Sequence, residues 1–441
     1  MNSKPRWRNI ILAATLPAVL EVIWQIYNTY VPVFLQAGNP SFADASPGAL
    51  GFGLGPALTG LILVFDNIAG LFISPIVGAW SDTLRTRWGR RMPFLLIGIP
   101  VAIAAVVVIP LIPMGIDPAL SGKTAELGGL LVPFIISLFV VLIAFAIVRP
   151  VADVLMFDIT PSSHRTTANG IAGAIAGFLV VAVALGGAAL YGIYGPLPFW
   201  LAAGFAAIIL ILVRLWIKEP ESLTSAKELA GEAFNFKGIV LFFRKLPKDN
   251  AKSLVFLLLS NFMAYVALAQ LQAFLTSYGV FELGMEMSAA AMLVAIPAIT
   301  YMVVAVPAGM LARKTGRKMT QYIGILGFAV GAFVIWLLPT STGLMAGLAI
   351  CGIMWPIANV NHVIMVVDSA PVESLMGSYT GIRQISVTLG FIVGPVLGGT
   401  LVEAFGNDYR LIWPVMVVFL VIAALLMIPV TKGEAKVEAS A

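Results

Sequence analysis

Long apolar runs recur from one end of the chain to the other, and each is long enough to cross the roughly 30 Å hydrocarbon core of a bilayer as a helix of about 20 residues. They fall near 9–36, 51–80, 93–115, 127–160, 166–195, 196–217, 251–281, 287–312, 319–339, 342–369, 374–404 and 411–431. Charged residues make up only 11% of the 441, against about a quarter in a soluble domain, so most of the surface cannot face water. Helices are the expected spanning form, because backbone exposed to lipid must satisfy its own hydrogen bonds and these runs lack the alternation of barrel strands. The expected fold class is an all-α membrane protein with twelve transmembrane helices.

Basic residues are sorted by topology. Of the 26 Lys and Arg, all but Lys123, Arg149, Arg214, Arg383 and Arg410 fall in the tails and in alternate loops. The positive-inside rule then puts both termini in the cytoplasm and predicts a multi-pass protein of the cell inner (cytoplasmic) membrane. "MNSKPRWRN" has no small-residue cleavage site after it and reads as a retained tail. The basic balance is therefore no sign of a nucleic-acid partner. The single cysteine, Cys351, excludes an intrachain disulfide. No phosphate-binding glycine loop, metal-ligand cluster or nucleophile constellation is visible, so the sequence predicts no cofactor, no metal and no enzyme.

The stretch between "RLWIKEPESL" and "RKLPKDNAKS" shifts to Lys, Glu and Asp, and divides six spans from six. The expected organisation is an N-terminal bundle (1–217), a cytoplasmic central linker (218–250), a C-terminal bundle (251–431) and a cytoplasmic tail (432–441). The halves echo each other. Gly78-x-x-x-Asp82 is matched by Gly309-x-x-x-Arg313, and "FDITPSSHRTTANG" (157–170) by "VDSAPVESLMGSYTG" (367–381). Parallel repeats of six helices would place them so.

With its Gly-x-x-x-Asp and "RWGRRMPF" loop after the second span, the chain resembles the major facilitator superfamily. "FDNIAGLFISPIVGAWSDTLRTRWGRRMPF", "YNTYVP" and "FDITP" are similar to its sugar:cation symporter branch: the glycoside-pentoside-hexuronide symporters, solute carrier family 45 and the plant sucrose carriers. The resemblance implies two pseudo-symmetric six-helix bundles and a cytoplasmic latch that is tight in one conformation and broken in the other. Asp82, Arg90, Arg91, Asp158, Asp368 and Arg383 are its expected members, with Asp368 or Glu373 neutralising Arg383.

Charges inside spans are costly and point to function. Arg149 and Asp153 share a face of span four and are expected to pair. Glu21, Gln25 and Asn28 form a polar stripe on span one, and Asp66 with Asn67 follows on span two. Sodium-using relatives such as the melibiose permeases carry acids where this chain has Gly70 and Ser74, so a proton is the expected coupling ion. Which of Asp153, Glu21 and Asp66 exchanges it is left open. On span seven Asn261, Tyr265 and Gln272 share a face, as do Trp355, Asn359 and His362 on span ten. Amides and aromatic plates suit a neutral, hydroxyl-rich ligand with apolar C–H faces. Gly173 and Gly177, and Gly390, Gly394 and Gly398, are expected to allow close helix contact. Pro297 and Pro307 are expected to bend span eight. The reading is a functional monomer that takes up a neutral, sucrose- or maltose-like sugar with protons by alternating access. An efflux or uniport carrier for another polar solute and a transporter-like nutrient sensor are the rivals.

Overall fold

The computed structural model describes residues 7–42, 50–84, 86–160, 165–219, 246–369 and 376–433, and the described residues carry twelve helical segments long and apolar enough to span a membrane. The first half contains α1 (Trp7–Gln36), α2 (Pro56–Leu63), α3 (Phe65–Thr83), α4 (Met92–Val108), α5 (Leu111–Met114), α6 (Gly128–Ile159), α7 (Arg165–Ile193) and α8 (Leu197–Trp216). The second contains α9 (Lys248–Ser277), α10 (Met287–Met292), α11 (Ala295–Thr315), α12 (Arg317–Leu337), α13 (Ser341–Asp368), α14 (Met376–Ala404) and α15 (Ile412–Leu426). Most of the expected central linker, 220–245, and residues 434–441 of the tail lie outside the described residues.

Besides the break near the end of span three, at Ile109 and Pro110, two spans are interrupted where the sequence suggests continuous helices. Span two is interrupted at Val64, between α2 and α3. Span eight breaks at Leu293 and Val294, where the bonds tighten to Leu293 N–H on Ala290 O and Val294 N–H on Ala291 O. Pro297 explains the second break: it has no N–H to offer, and its ring crowds the carbonyl four residues earlier, that of Leu293. The two interruptions fall at equivalent places in the six-span repeat.

The chain forms two compact units, Met1–Gly231 with Gly279–Ala295, and Glu232–Tyr278 with Ile296–Ala441. In the first, α1 packs on α7, α8 and α6, and α4 packs on α6 and α8. The second repeats this pattern, with α9 on α14 and α15, and α12 on α13 and α15. The weak sequence echo is thus a shared packing plan. Large apolar side chains such as Phe72, Ile193 and Leu215 stay exposed, at 65%, 77% and 68%, as a lipid-facing surface requires.

Small residues set the tightest seams. α9 and α14 run parallel, and Ser386 donates to Leu258 O, 128 positions earlier in the chain. The same offset puts Gly390 against Phe262, Gly394 against Val266 and Gly398 against Gln270. A Cβ at Gly394 would lie 2.6 Å from Val266 O and 2.8 Å from Ala269 Cβ, so the absence of a side chain lets the backbones approach. Between α12 and α13, Gly324 meets Ala358, Gly327 meets Met354, and Gly331 meets Cys351. Gly173 differs from the expectation: a Cβ there would meet open space, so it makes no close helix contact.

Candidate functional site

Within the first unit, α1 is buried on all sides between Ala18 and Ala37 except at Glu21, Trp24, Gln25 and Asn28. That is one helical face, the stripe expected from the sequence. Gln25 Nε2 donates to Thr29 Oγ1 at 3.2 Å, and Trp24 stacks on Tyr27 with ring centroids 5.4 Å apart while its edge meets Phe145 of α6.

The expected pairing of Arg149 with Asp153 is not the one formed. Arg149 Nη2 reaches across from α6 to Glu21 Oε2 on α1, at 2.5 Å. Helical spacing puts Arg149 and Asp153 on one face, but a flexible guanidinium takes the carboxylate that meets it end-on from the neighbouring helix. The paired side chains are 49% and 36% exposed. Asp153 is exposed and makes no ion pair of its own among the described residues. Asp66 lies in the first turn of α3, where free backbone N–H groups favour a carboxylate, and its Oδ1 accepts from Asn67 Nδ2 at 2.7 Å. Arg149 interacts electrostatically with Glu21, Asp153 and Asp66 together. One guanidinium thus serves three carboxylates, and the set holds a surplus of negative charge.

The second unit holds a polar cluster of another kind. Tyr265 on α9 donates to Asn359 Oδ1 on α13 at 3.0 Å, and its ring meets Trp355 edge-on at 5.1 Å and Phe391 at 5.5 Å. Asn261 donates to Ser386 Oγ at 3.4 Å, and His362 Nε2 lies 3.0 Å from Leu257 O. Five of the six residues predicted for this wall therefore gather. Gln272 does not: it is exposed and makes no hydrogen bond to the cluster. Arg383, expected in the latch, is buried beside these residues instead, and it interacts with both Tyr265 and His362. Its place follows from the helix register, since Arg383 lies one turn before Ser386 on the α14 face that packs on α9.

The residues expected in a latch that the structure describes here, Arg90, Arg91 and Asp158, meet at the turn from α3 to α4. Asp158, at the end of α6, accepts from Arg90 Nη2 at 2.7 Å and Arg91 Nε at 3.3 Å, and Arg91 also reaches Ser81 Oγ. Sequence reasoning missed Glu219. Its carboxylate accepts the backbone N–H groups of Arg90 at 2.7 Å, Arg91 at 3.0 Å and Met92 at 2.7 Å, and so closes the N-terminus of α4. Gly89, at φ +109°, makes room for it: a Cβ there would lie 2.5 Å from Glu219 Cδ. The available signal was the acid at the start of the charged stretch that follows span six. The side chains of Asp82, Arg313 and Asp368, and all of Arg85, His164 and Glu373, lie outside the described residues.

The sequence matches the family model described as Major Facilitator Superfamily over residues 14–375 and 282–441. Sucrose transport protein SUC3 of Arabidopsis thaliana is 25% identical over 180 residues, a stretch equal to 37% of this chain and 26% of that protein. Multidrug resistance protein 1 of Bacillus subtilis (strain 168) is 30% identical over 183 residues, 41% of each chain. The matches therefore span about a quarter and two fifths of the lengths of these relatives. A crystal structure of a D-xylose-proton symporter superposes with a TM-score of 0.66 at 18% identity, covering 96% of this chain and 98% of that one, which is a likeness of fold.

Proposed function

The chain belongs to the major facilitator superfamily, and we propose on that footing that this multi-pass transporter takes up a neutral, sucrose- or maltose-like sugar together with protons by alternating access. The observation that carries the proton half of the reading is the charge inventory around Arg149: Glu21, Asp66 and Asp153 share one cation. Carboxylates in surplus within a membrane are costly until a cation joins them. A proton needs one oxygen, whereas a metal ion of the hard type wants several arranged around it. Any of the three carboxylates suits the role; Asp153, which has no ion pair of its own, is the first to test.

The sugar half rests on the second unit. Amides at Asn261 and Asn359, the Tyr265 hydroxyl and the Trp355 ring offer hydrogen bonds and a flat apolar surface together. Within the first unit, Glu21, Gln25 and Asn28 form a separate set of polar groups suited to hydroxyl contacts. The sucrose transport protein among the relatives supports the same substrate class. The Asp158, Arg90 and Arg91 cluster is assigned to the latch, with Asp82 and Asp368 retained as proposed members. The protein acts as a monomer in the cell inner membrane, with both termini in the cytoplasm.

Purified protein in liposomes supplies the test. Labelled sucrose or maltose should accumulate inside only when the outside is the more acidic, and adding sugar should make a weakly buffered medium more alkaline. Equal uptake with and without the gradient would indicate a uniporter. The multidrug resistance relative favours a second reading, export of another solute. That reading predicts outward transport of another polar solute in the same vesicles and no sugar-dependent proton movement.

A further inference from the structure

Arg383 is only 9% exposed, and its Nε has no hydrogen-bond partner. Among the described residues no carboxylate forms an ion pair with it. The Tyr265 hydroxyl accepts from Arg383, but a buried cation without a counter-charge is costly while its Nε–H lacks an acceptor. His362 is 2% exposed and has the complementary vacancy. Its Nε2 faces the carbonyl of Leu257, which can only accept, so Nε2 carries the hydrogen and Nδ1 keeps a bare lone pair. That Nδ1 has no partner either.

An unused donor and an unused acceptor thus stand in one cluster, next to a Tyr265 hydroxyl that accepts from Arg383 and donates to Asn359. The ligand chemistry that satisfies both is a neutral hydroxyl, which accepts and donates at once. A carboxylate could accept from Arg383 but has no hydrogen for His362. An ammonium could donate to His362 but would be repelled by Arg383.

We infer that Arg383 and His362 form a hydroxyl-reading subsite, in which Arg383 Nε–H donates to a substrate hydroxyl and His362 Nδ1 accepts from the same hydroxyl or its neighbour. The subsite selects ligands that bring a hydroxyl hydrogen to His362 over ligands that offer acceptors alone. It rests on the sugar-uptake reading and sharpens it, because polar groups that are buried and otherwise unpaired discriminate strongly against ligands that cannot complete them. Arg383 accordingly belongs to substrate recognition and is removed from the latch.

The chain has only two histidines, which makes a nitrogen measurement practical. The full-length protein, labelled with ¹⁵N-histidine and carrying His164→Gln to leave one signal, is examined with sucrose, maltose, myo-inositol or the hydroxyl-free dicarboxylate succinate as probe. The free protein should show a neutral ring with bare Nδ1, and at least one neutral probe should move that resonance toward a hydrogen-bonded position while succinate leaves it unmoved. Arg383→Gln should weaken binding of the responding probe by about ten- to a hundredfold, and Arg383→Lys should restore part of it. A hydrogen on Nδ1, no response to any neutral probe, a response to succinate alone, or unchanged affinity in Arg383→Gln would overturn the subsite. Failure of the sugar-uptake reading shows separately, as no sucrose or maltose accumulation by the wild-type protein in liposomes. A response to inositol in that event would keep the subsite and change its substrate.

Discussion

Arg149 and Glu21 lend themselves to a double-mutant cycle whose outcome is asymmetric. At an effective dielectric of about 20, two unit charges about 4 Å apart attract by about 4 kcal/mol. The pair is 49% and 36% exposed, which reduces its net worth to about 0.5–1 kcal/mol. Glu21→Gln leaves Arg149 with Asp153 and Asp66 still in its field, so the loss should stay near that figure. Arg149→Gln takes the shared cation from three carboxyl groups at once and should cost about 2–3 kcal/mol, at least twice as much. With about 2–4 °C of midpoint per kcal/mol, thermal unfolding in detergent separates the two variants. The deficit of Arg149→Gln should shrink as pH is lowered, because a neutral carboxyl needs no cation, and that of Glu21→Gln should not. The double variant should recover part of what Arg149→Gln loses. Equal losses in the single variants, or strict additivity in the double, would refute a shared guanidinium.

Asp153→Asn should abolish accumulation against a gradient while sugar exchange across the liposome membrane persists; pH-driven accumulation at wild-type level would take Asp153 out of the proton role. Glu219→Gln gives up the charge that closes α4 and should lower stability by about 1–2 kcal/mol, seen in thermal unfolding, and should change transport rate more than sugar affinity. Gly89→Ala should reproduce that phenotype, since both its φ and the nearby carboxylate resist a Cβ; wild-type behaviour in both would remove the cap from the latch. Gly394→Ala should destabilise by about 1–3 kcal/mol through overpacking, whereas Gly173→Ala, facing open space, should leave the unfolding midpoint within error.

Features written along a single helix were readable before the structure. The Glu21, Gln25 and Asn28 face follows from a period of 3.6 residues, and it is the face α1 leaves uncovered. Partners on other helices were not readable. Arg149 meets Glu21 across 128 positions, and Glu219 reaches Arg90 across 129, separations at which no periodicity speaks. Spacing of small residues has the same limit: Gly173 fits the pattern as well as Gly390 does, and only packing distinguishes a seam from a vacant flank. Arg383 looked like a loop-side charge because the burial of its face depends on the α9 register. Likewise Gln272 shares a helical face with Tyr265, yet it ends up exposed where Tyr265 is covered.

The glycine ladder between α9 and α14 limits how the second unit can deform. Its teeth repeat every four residues, so an axial step short of one full repeat, about 6 Å at 1.5 Å per residue, forces side chains into the slots that now hold backbone. These two helices behave as one rigid beam, so deformation of the second unit falls to its other helix seams.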